Sequence, residues 1–312
     1  MRASHIGNVT VRSLAILYLE PETPIYVGAG GEEVVRYFLR LPGRGLLIPA
    51  TSWKGAFRAV TEAIARSLTR EDVKDELEWI ALRTYSEADD GIRYKADSEE
   101  LERVGKEVKV ILNGGKSELL DVSKEELLYF LEEAGSEREK LERNDEHELR
   151  SAAEKLVALN CPISKLYGNK VIASKLKFLD TIIDAPTSIR PGIAIDRASM
   201  RVREGHLFFT EVLDRKDTIQ LKLIIDNVKP GETDSLLLAS TLRHIETLGL
   251  RIGGRRSTGL GNLRLREAKI YTINLEEDVK RERMKIARIT EGDQRSITEF
   301  IEWLMAQRDE RS

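Results

Sequence analysis

Five glycines and five arginines stand within the eighteen residues GLRIGGRRSTGLGNLRLR, Gly249 to Arg266, and no acidic residue accompanies them. Gly253, Gly254, Gly259 and Gly261 let the backbone take positive φ and approach a ligand without a Cβ in the way. Arg255 and Arg256 sit where that backbone turns. Consecutive N–H groups in such a turn form an anion-binding concavity, and guanidinium forks match phosphate oxygens two at a time. The chemistry expected is recognition of a polyanion or a phosphate-bearing ligand. A glycine-rich hairpin carrying solvated arginines is the alternative that composition leaves open.

Two mononucleotide readings fit poorly. A Walker loop needs Lys-Ser or Lys-Thr directly after its last glycine, whereas Asn262 and Leu263 follow Gly261. A dinucleotide fingerprint opens a helix, but NLRLREAKIYTINL alternates as a strand does. The loop therefore joins a helix to a strand, which suits an extended backbone in a groove better than a pyrophosphate at a helix N-terminus.

Metal and thiol chemistry find little here. Cys161 is the single cysteine, which excludes an internal disulfide framework and a multi-cysteine zinc site. His5, His147, His206 and His244 are scattered, with no i, i+4 pair. Cys161 is read as a buried apolar residue ahead of a helix. With 50 basic and 53 acidic residues the formal net charge is −3, so any nucleic-acid binding must come from a local patch. No run is long enough to span a bilayer and the N-terminus has no apolar signal core, so a cytoplasmic protein without membrane partners is expected.

The elements that must position the loop follow from periodicity. Val9 to Leu19 reads as a buried strand. Glu20 to Leu47 reads as a long glycine-bearing loop, functional or poorly ordered. From Ile48 a helix is expected, capped by Thr51 or Ser52, with Trp53, Ala56, Phe57, Val60, Ile64 and Leu68 on its apolar face. Trp53 is read as core packing. Residues 69–159 change character: Asp121 to Arg150 hold eleven acidic side chains against five basic ones, in short helical runs broken by NGG and ADDG turns. After Cys161 come the strands ASKLKFLDTIID, HLFFTEVL and TIQLKLIID. A helix then opens behind a Thr233/Asp234 cap with Leu238, Leu242, Ile245 and Leu248 on one face, running into the glycine loop. SITEFIEWLMAQR begins with a Ser296/Glu299 capping box. The expected fold is α+β: a ferredoxin-like, RNA-recognition-type core (1–68 and 160–275) with a mostly helical acidic insertion (69–159) and a C-terminal helical tail (276–312).

Four motifs, IPATSWKGAFR (Ile48 to Arg58), CPISKLYGNKVIASKLKFLD (Cys161 to Asp180), GIAIDRASMRVREGHLFFTEVL (Gly192 to Leu213) and LGLRIGGRRSTGLGNLRL, occur in an order that resembles the RAMP superfamily. Within it the chain looks most similar to Cas7-like backbone subunits of type III CRISPR–Cas effector complexes. The resemblance implies cores stacked along a CRISPR RNA, presenting it to target RNA within an antiviral complex of several Cas subunits. It implies guide contacts from Lys54, Arg58, Arg255 and Arg256, with Gly253, Gly254, Gly259 and Gly261 shaping the loop. Arg190, Arg197 and Arg201 belong to a stretch resembling the family's loop over the RNA. On the same loop Asp196 is read as an ion-pair partner and Met200 as packing.

Relatives that cut target RNA carry an aspartate in the glycine-bearing loop before the first motif. Here that loop reads VGAGGEEVVRYFLRLPGRG, the matching place falls near Val35, and Glu32 and Glu33 precede it. The expectation is therefore a non-catalytic RNA-binding subunit with no cofactor. The alternative is a metal-dependent endoribonuclease acting through Glu32 or Glu33. A metal-independent nuclease would need a histidine base, for which His5 and His244 are the candidates.

Overall fold

The computed structural model describes residues 9–28, 35–88, 91–94, 99–195, 202–214, 217–275, 289–290 and 292–306. Strand β1 (Val11–Pro21) alternates, with Ser13, Ala15, Leu17 and Leu19 buried and their neighbours half-exposed, so one face meets the core. The segment expected as a loop contains three short strands, β2 (Val35–Arg36), β3 (Arg40–Leu41) and β4 (Gly45–Ile48). β3 and β4 form a tight hairpin of two- and four-residue strands, too short to show a period, while β2 pairs with β10 and β4 with β8, far away in sequence.

Helix α1 (Ala50–Ser67) starts one residue before the expected cap. Pro49 is its N-cap and offers no side-chain acceptor; Asp180 instead accepts the Ala50 N–H at 2.7 Å. Trp53 and Phe57 are fully buried, and the Trp53 indole N–H donates to Thr181 Oγ1 at 3.1 Å. Next come α2 (Glu76–Thr84), β5 (Tyr85–Ala88), β6 (Gly91–Tyr94), α3 (Glu99–Leu112), α4 (Lys124–Glu133), α5 (Arg138–Glu142) and α6 (Glu146–Asn160). The region is helical as expected, except that strands β5 and β6 form an antiparallel hairpin where the ADDG turn was read. On α3, Leu101, Val104, Val108 and Ile111 are buried at helical spacing, and this apolar surface is continuous with the core around β1.

Cys161 is buried at the N-cap of α7 (Pro162–Tyr167), with proline at the first helical position. Five strands follow: β7 (Leu176–Phe178), β8 (Thr181–Ile183), β9 (Thr187–Ile195), β10 (Val202–Leu213) and β11 (Ile219–Asp226). After α8 (Thr233–Leu248) come β12 (Leu250–Arg251), β13 (Asn262–Asn274), β14 (Asp293–Arg295) and α9 (Ile297–Met305), the last opened by the expected Ser296/Glu299 capping box.

The main sheet runs β7–β11–β1–β13, antiparallel throughout, with β12 and β14 both on the outer edge of β13. Counting core strands in chain order as β1, β7, β11 and β13, the spatial order is second, third, first, fourth, which is the ferredoxin-like arrangement. Helices α1 and α8 are its two crossovers and pack on each other and on the sheet. Hydroxyls tie them together: Thr61 Oγ1 lies 2.7 Å from both the Tyr167 hydroxyl and Thr241 Oγ1. A second sheet, β2–β10–β9, stands apart, and a third pairs β3, β4 and β8.

Two features of α8 depart from the sequence reading. Glu232, not Thr233 or Asp234, is the N-cap, and it makes no side-chain cap; Asp234 is buried and accepts from Lys175 Nζ at 2.6 Å. Leu248 is 76 % exposed, because the helix ends at Gly249 and its last turn clears the core. Burial opposes ionisation of Asp234, but the charges of Lys175 and Lys165 outweigh it and hold the carboxyl below its ordinary range. At Asp226 burial is likewise outweighed, by hydrogen bonds from Arg12 and Lys177. A depressed carboxyl pKa contributes stability above the unfolded value, about 3.9 for aspartate, that disappears as pH falls through the folded value. The urea midpoint is therefore expected to hold between about pH 7 and pH 5 and to drop below about pH 4. A midpoint unchanged at pH 3 would contradict this.

Candidate nucleic-acid interface

The glycine loop lies between α8 and β13, as its sequence suggests. Gly249, Gly253, Gly259 and Gly261 take φ between 78° and 85°, whereas Gly254, grouped with them in the sequence reading, does not. Arg255 is itself left-handed, with φ 57°. The loop is closed by Ile252 N–H to Gly261 O at 2.9 Å and is pinned to the chain after β1. There Gly254 N–H donates to Tyr26 O at 2.9 Å and Gly261 N–H to Pro24 O at 2.8 Å. These bonds take donors that the sequence reading had left for an anion. What the loop leaves free for an anion is its charged side chains more than its backbone.

Opposite the loop is the start of α1. Gly28, Thr51, Ser52, Gly55, Gly254 and Arg256 border an open cleft of about 350 Å³. The positive end of the α1 dipole faces it. Lys54, in the first turns of α1, is half-buried, and burial, followed by the charge of Arg58, pushes its ammonium below the ordinary lysine range. Among the described residues no carboxylate lies within ion-pair distance of Lys54 or of Arg256. Arg58 is differently placed: its Nε donates to Glu62 at 2.8 Å, and its guanidinium also meets the Tyr85 hydroxyl.

The hairpin β9–β10 meets the glycine loop through Phe208. It is anchored by Glu211, whose buried carboxylate takes the Phe38 N–H at 2.8 Å and the Thr187 hydroxyl at 2.6 Å and pairs with Arg40. Burial opposes the charge on Glu211, but these donors hold its carboxyl below the usual range. Thr210 pairs with Arg36 on one side and Arg190 on the other, and Phe208 pairs with Gly192. Cross-strand partners share a face, so Arg36, Arg190 and Phe208 project together. Arg255 reaches this face from the glycine loop, its guanidinium carbon 4.0 Å from the Phe208 ring centroid.

The described candidates Lys54, Arg190, Arg255, Arg256, Gly253 and Gly254 thus occupy elements that meet, while Gly259 and Gly261 shape the far side of the loop. Arg197 and Arg201, with Asp196 and Met200, lie outside the described residues, as do Glu32, Glu33 and His5. His244 is on α8. Arg36 and Phe208 were missed: VVRYF looked like loop, and Phe208 sat in a run that read only as an apolar strand. A short alternation around Arg36 was the one signal available. An aromatic ring, several cations and few counter-charges suit a phosphate-bearing single strand.

No curated protein matches the chain. The family model described as the RAMP superfamily, however, matches residues 18–264, from within β1 to within β13 and across every wall of the cleft. That span covers well over half the sequence, and the chain belongs to the RAMP superfamily.

Proposed function

We propose that this chain is an RNA-binding, Cas7-like backbone subunit of a type III CRISPR–Cas effector ribonucleoprotein, holding the guide RNA for pairing with target RNA in the cytoplasm. One observation carries the reading. Arg255 of the glycine loop meets Arg36 over Phe208, and Arg256 borders the cleft at the start of α1, all without a carboxylate partner among the described residues, in a chain whose net charge is −3. Membership of a superfamily associated with CRISPR RNA-binding subunits supports it. Contacts made through arginine and lysine to phosphates read backbone shape, so binding is sequence-independent. In this proposal residues 1–68 and 160–275 form the discontinuous core, 69–159 an insertion whose acidic surface faces away from the RNA, and 276–312 a tail.

The native particle purified through this chain is expected to be a ribonucleoprotein of several Cas subunits carrying short RNAs. A free monomer without RNA under gentle conditions would refute the proposal. In the assembled complex, changing both Glu32 and Glu33 to Gln is expected to leave target cleavage intact, with any cuts made by sister subunits. Loss of every cut with normal RNA binding would instead make this chain the nuclease.

A further inference from the structure

We infer that Arg36, Phe208 and Arg255 form a clamp for a single phosphodiester group of the bound strand, a subsite that rests on the RNA-binding reading above. Both guanidinium groups lie over one ring, with their central carbons 4.0 Å (Arg255) and 5.3 Å (Arg36) from the Phe208 centroid. Two like charges sharing one arene repel each other, and among the described residues no carboxylate pairs with either. The Nε of each is closed off from solvent without a hydrogen-bond partner, and no described residue pairs with the outer Nη donors of either, which are the ones left for a ligand. A phosphodiester bridging them supplies both the missing charge and the missing acceptors, in the bidentate geometry guanidinium favours.

The backbone is arranged to produce this pairing. Arg255 holds a left-handed conformation that non-glycine residues seldom take, which turns its side chain from the loop onto the hairpin. Beneath the ring, a Cβ at Gly192 would lie 2.1 Å from Phe208, so glycine is what allows the ring to lie against β9. Glu211 and Thr210 hold β2 and β10 in register, which fixes Arg36 beside Phe208. Burial, and then the charge of Arg36, push the Arg255 guanidinium below its ordinary range, in keeping with a site short of negative charge.

The test is anisotropy of a labelled single-stranded RNA across a salt series, with the full chain and the variants Arg36→Gln, Arg255→Gln, their double, Arg255→Lys, Phe208→Leu and Arg256→Ala. Each Gln variant is expected to weaken binding about tenfold, and the double little more than either alone, because both act on one phosphate. The salt slope of the double should flatten by about 0.7, the value for one single-strand phosphate. Arg255→Lys keeps the charge but loses the planar stack, and should also bind more weakly. Melting curves verify folding; should Phe208→Leu unfold, Arg36→Gln on the two-residue strand decides. Flattening by about 1.4 would mean two separate phosphates and would overturn the clamp. Wild-type affinity in Arg36→Gln and Phe208→Leu, with loss in Arg256→Ala, would overturn it while leaving the RNA reading intact. If the unaltered chain bound no RNA, the functional reading itself would fall.

Discussion

Replacing Arg255 and Arg256 together with Ala is expected to weaken single-stranded RNA binding by about ten- to a hundredfold at physiological salt, and equally for unrelated sequences. The magnitude follows from the setting. A hydrogen bond to a charged group contributes about 1.5–3 kcal/mol, and exposure of Arg256 places its share at the low end or below. Neither arginine faces a described carboxylate, so their removal frees no buried acid and the fold should stand. The logarithmic salt dependence should flatten by about 0.7 to 1.4, one or two phosphates' worth of released counterions. An unchanged slope would show that the loop is architectural and that the strand runs elsewhere.

Gly261→Ala should be among the most damaging single substitutions in the loop, and Gly259→Ala among the mildest, although both glycines have positive φ. At Gly261 an added Cβ would lie 2.0 Å from Ile252 O and 3.4 Å from Ile252 N, whose N–H closes the loop on Gly261 O, and it would disturb the Gly261 N–H bond to Pro24 O. Backbone strain of about 1–3 kcal/mol joins the loss of up to two hydrogen bonds of about 1 kcal/mol each. Together these give up to about 5 kcal/mol, which for a chain of this size lowers the melting temperature by up to roughly ten degrees. At Gly259 nothing lies within 4 Å of the added carbon, so only strain of about 1 kcal/mol remains. Equal, small shifts for the two variants would mean that the loop re-forms freely and is not held against the chain after β1.

This contrast marks where the sequence could be read and where it could not. Period-two alternation revealed β1, β11 and β13, helical spacing revealed α1 and α8, and glycine content located the loop between α8 and β13. Such patterns are local, and each of these elements is long enough to show one, unlike the three-residue core strand β7. The four glycines looked alike because sequence says nothing of what a Cβ would meet: Gly261 is closed by its own loop, Gly259 is open, and Gly254 is not left-handed at all. Asp234 resembled a cap because its partner, Lys175, is 59 residues away. The same non-locality concealed β2, whose only ladder among the described residues is with β10, and with it Arg36. Phe208 was one apolar residue in a strand run and nothing local set it apart; its half-exposure beneath Arg255 depends on a turn conformation of another element.

The path of the RNA is the central claim, and ultraviolet crosslinking of the native particle, followed by identification of the modified peptides, tests it most directly. Crosslinks are expected on the peptides bearing Arg255 and Arg256, on the one bearing Phe208, and at the start of α1 around Lys54, because Arg256 and the first turn of α1 border the cleft and Phe208 lies against Arg255. Crosslinks confined to the acidic helices of residues 121–150, or to the face of the main sheet away from α1 and α8, would contradict it.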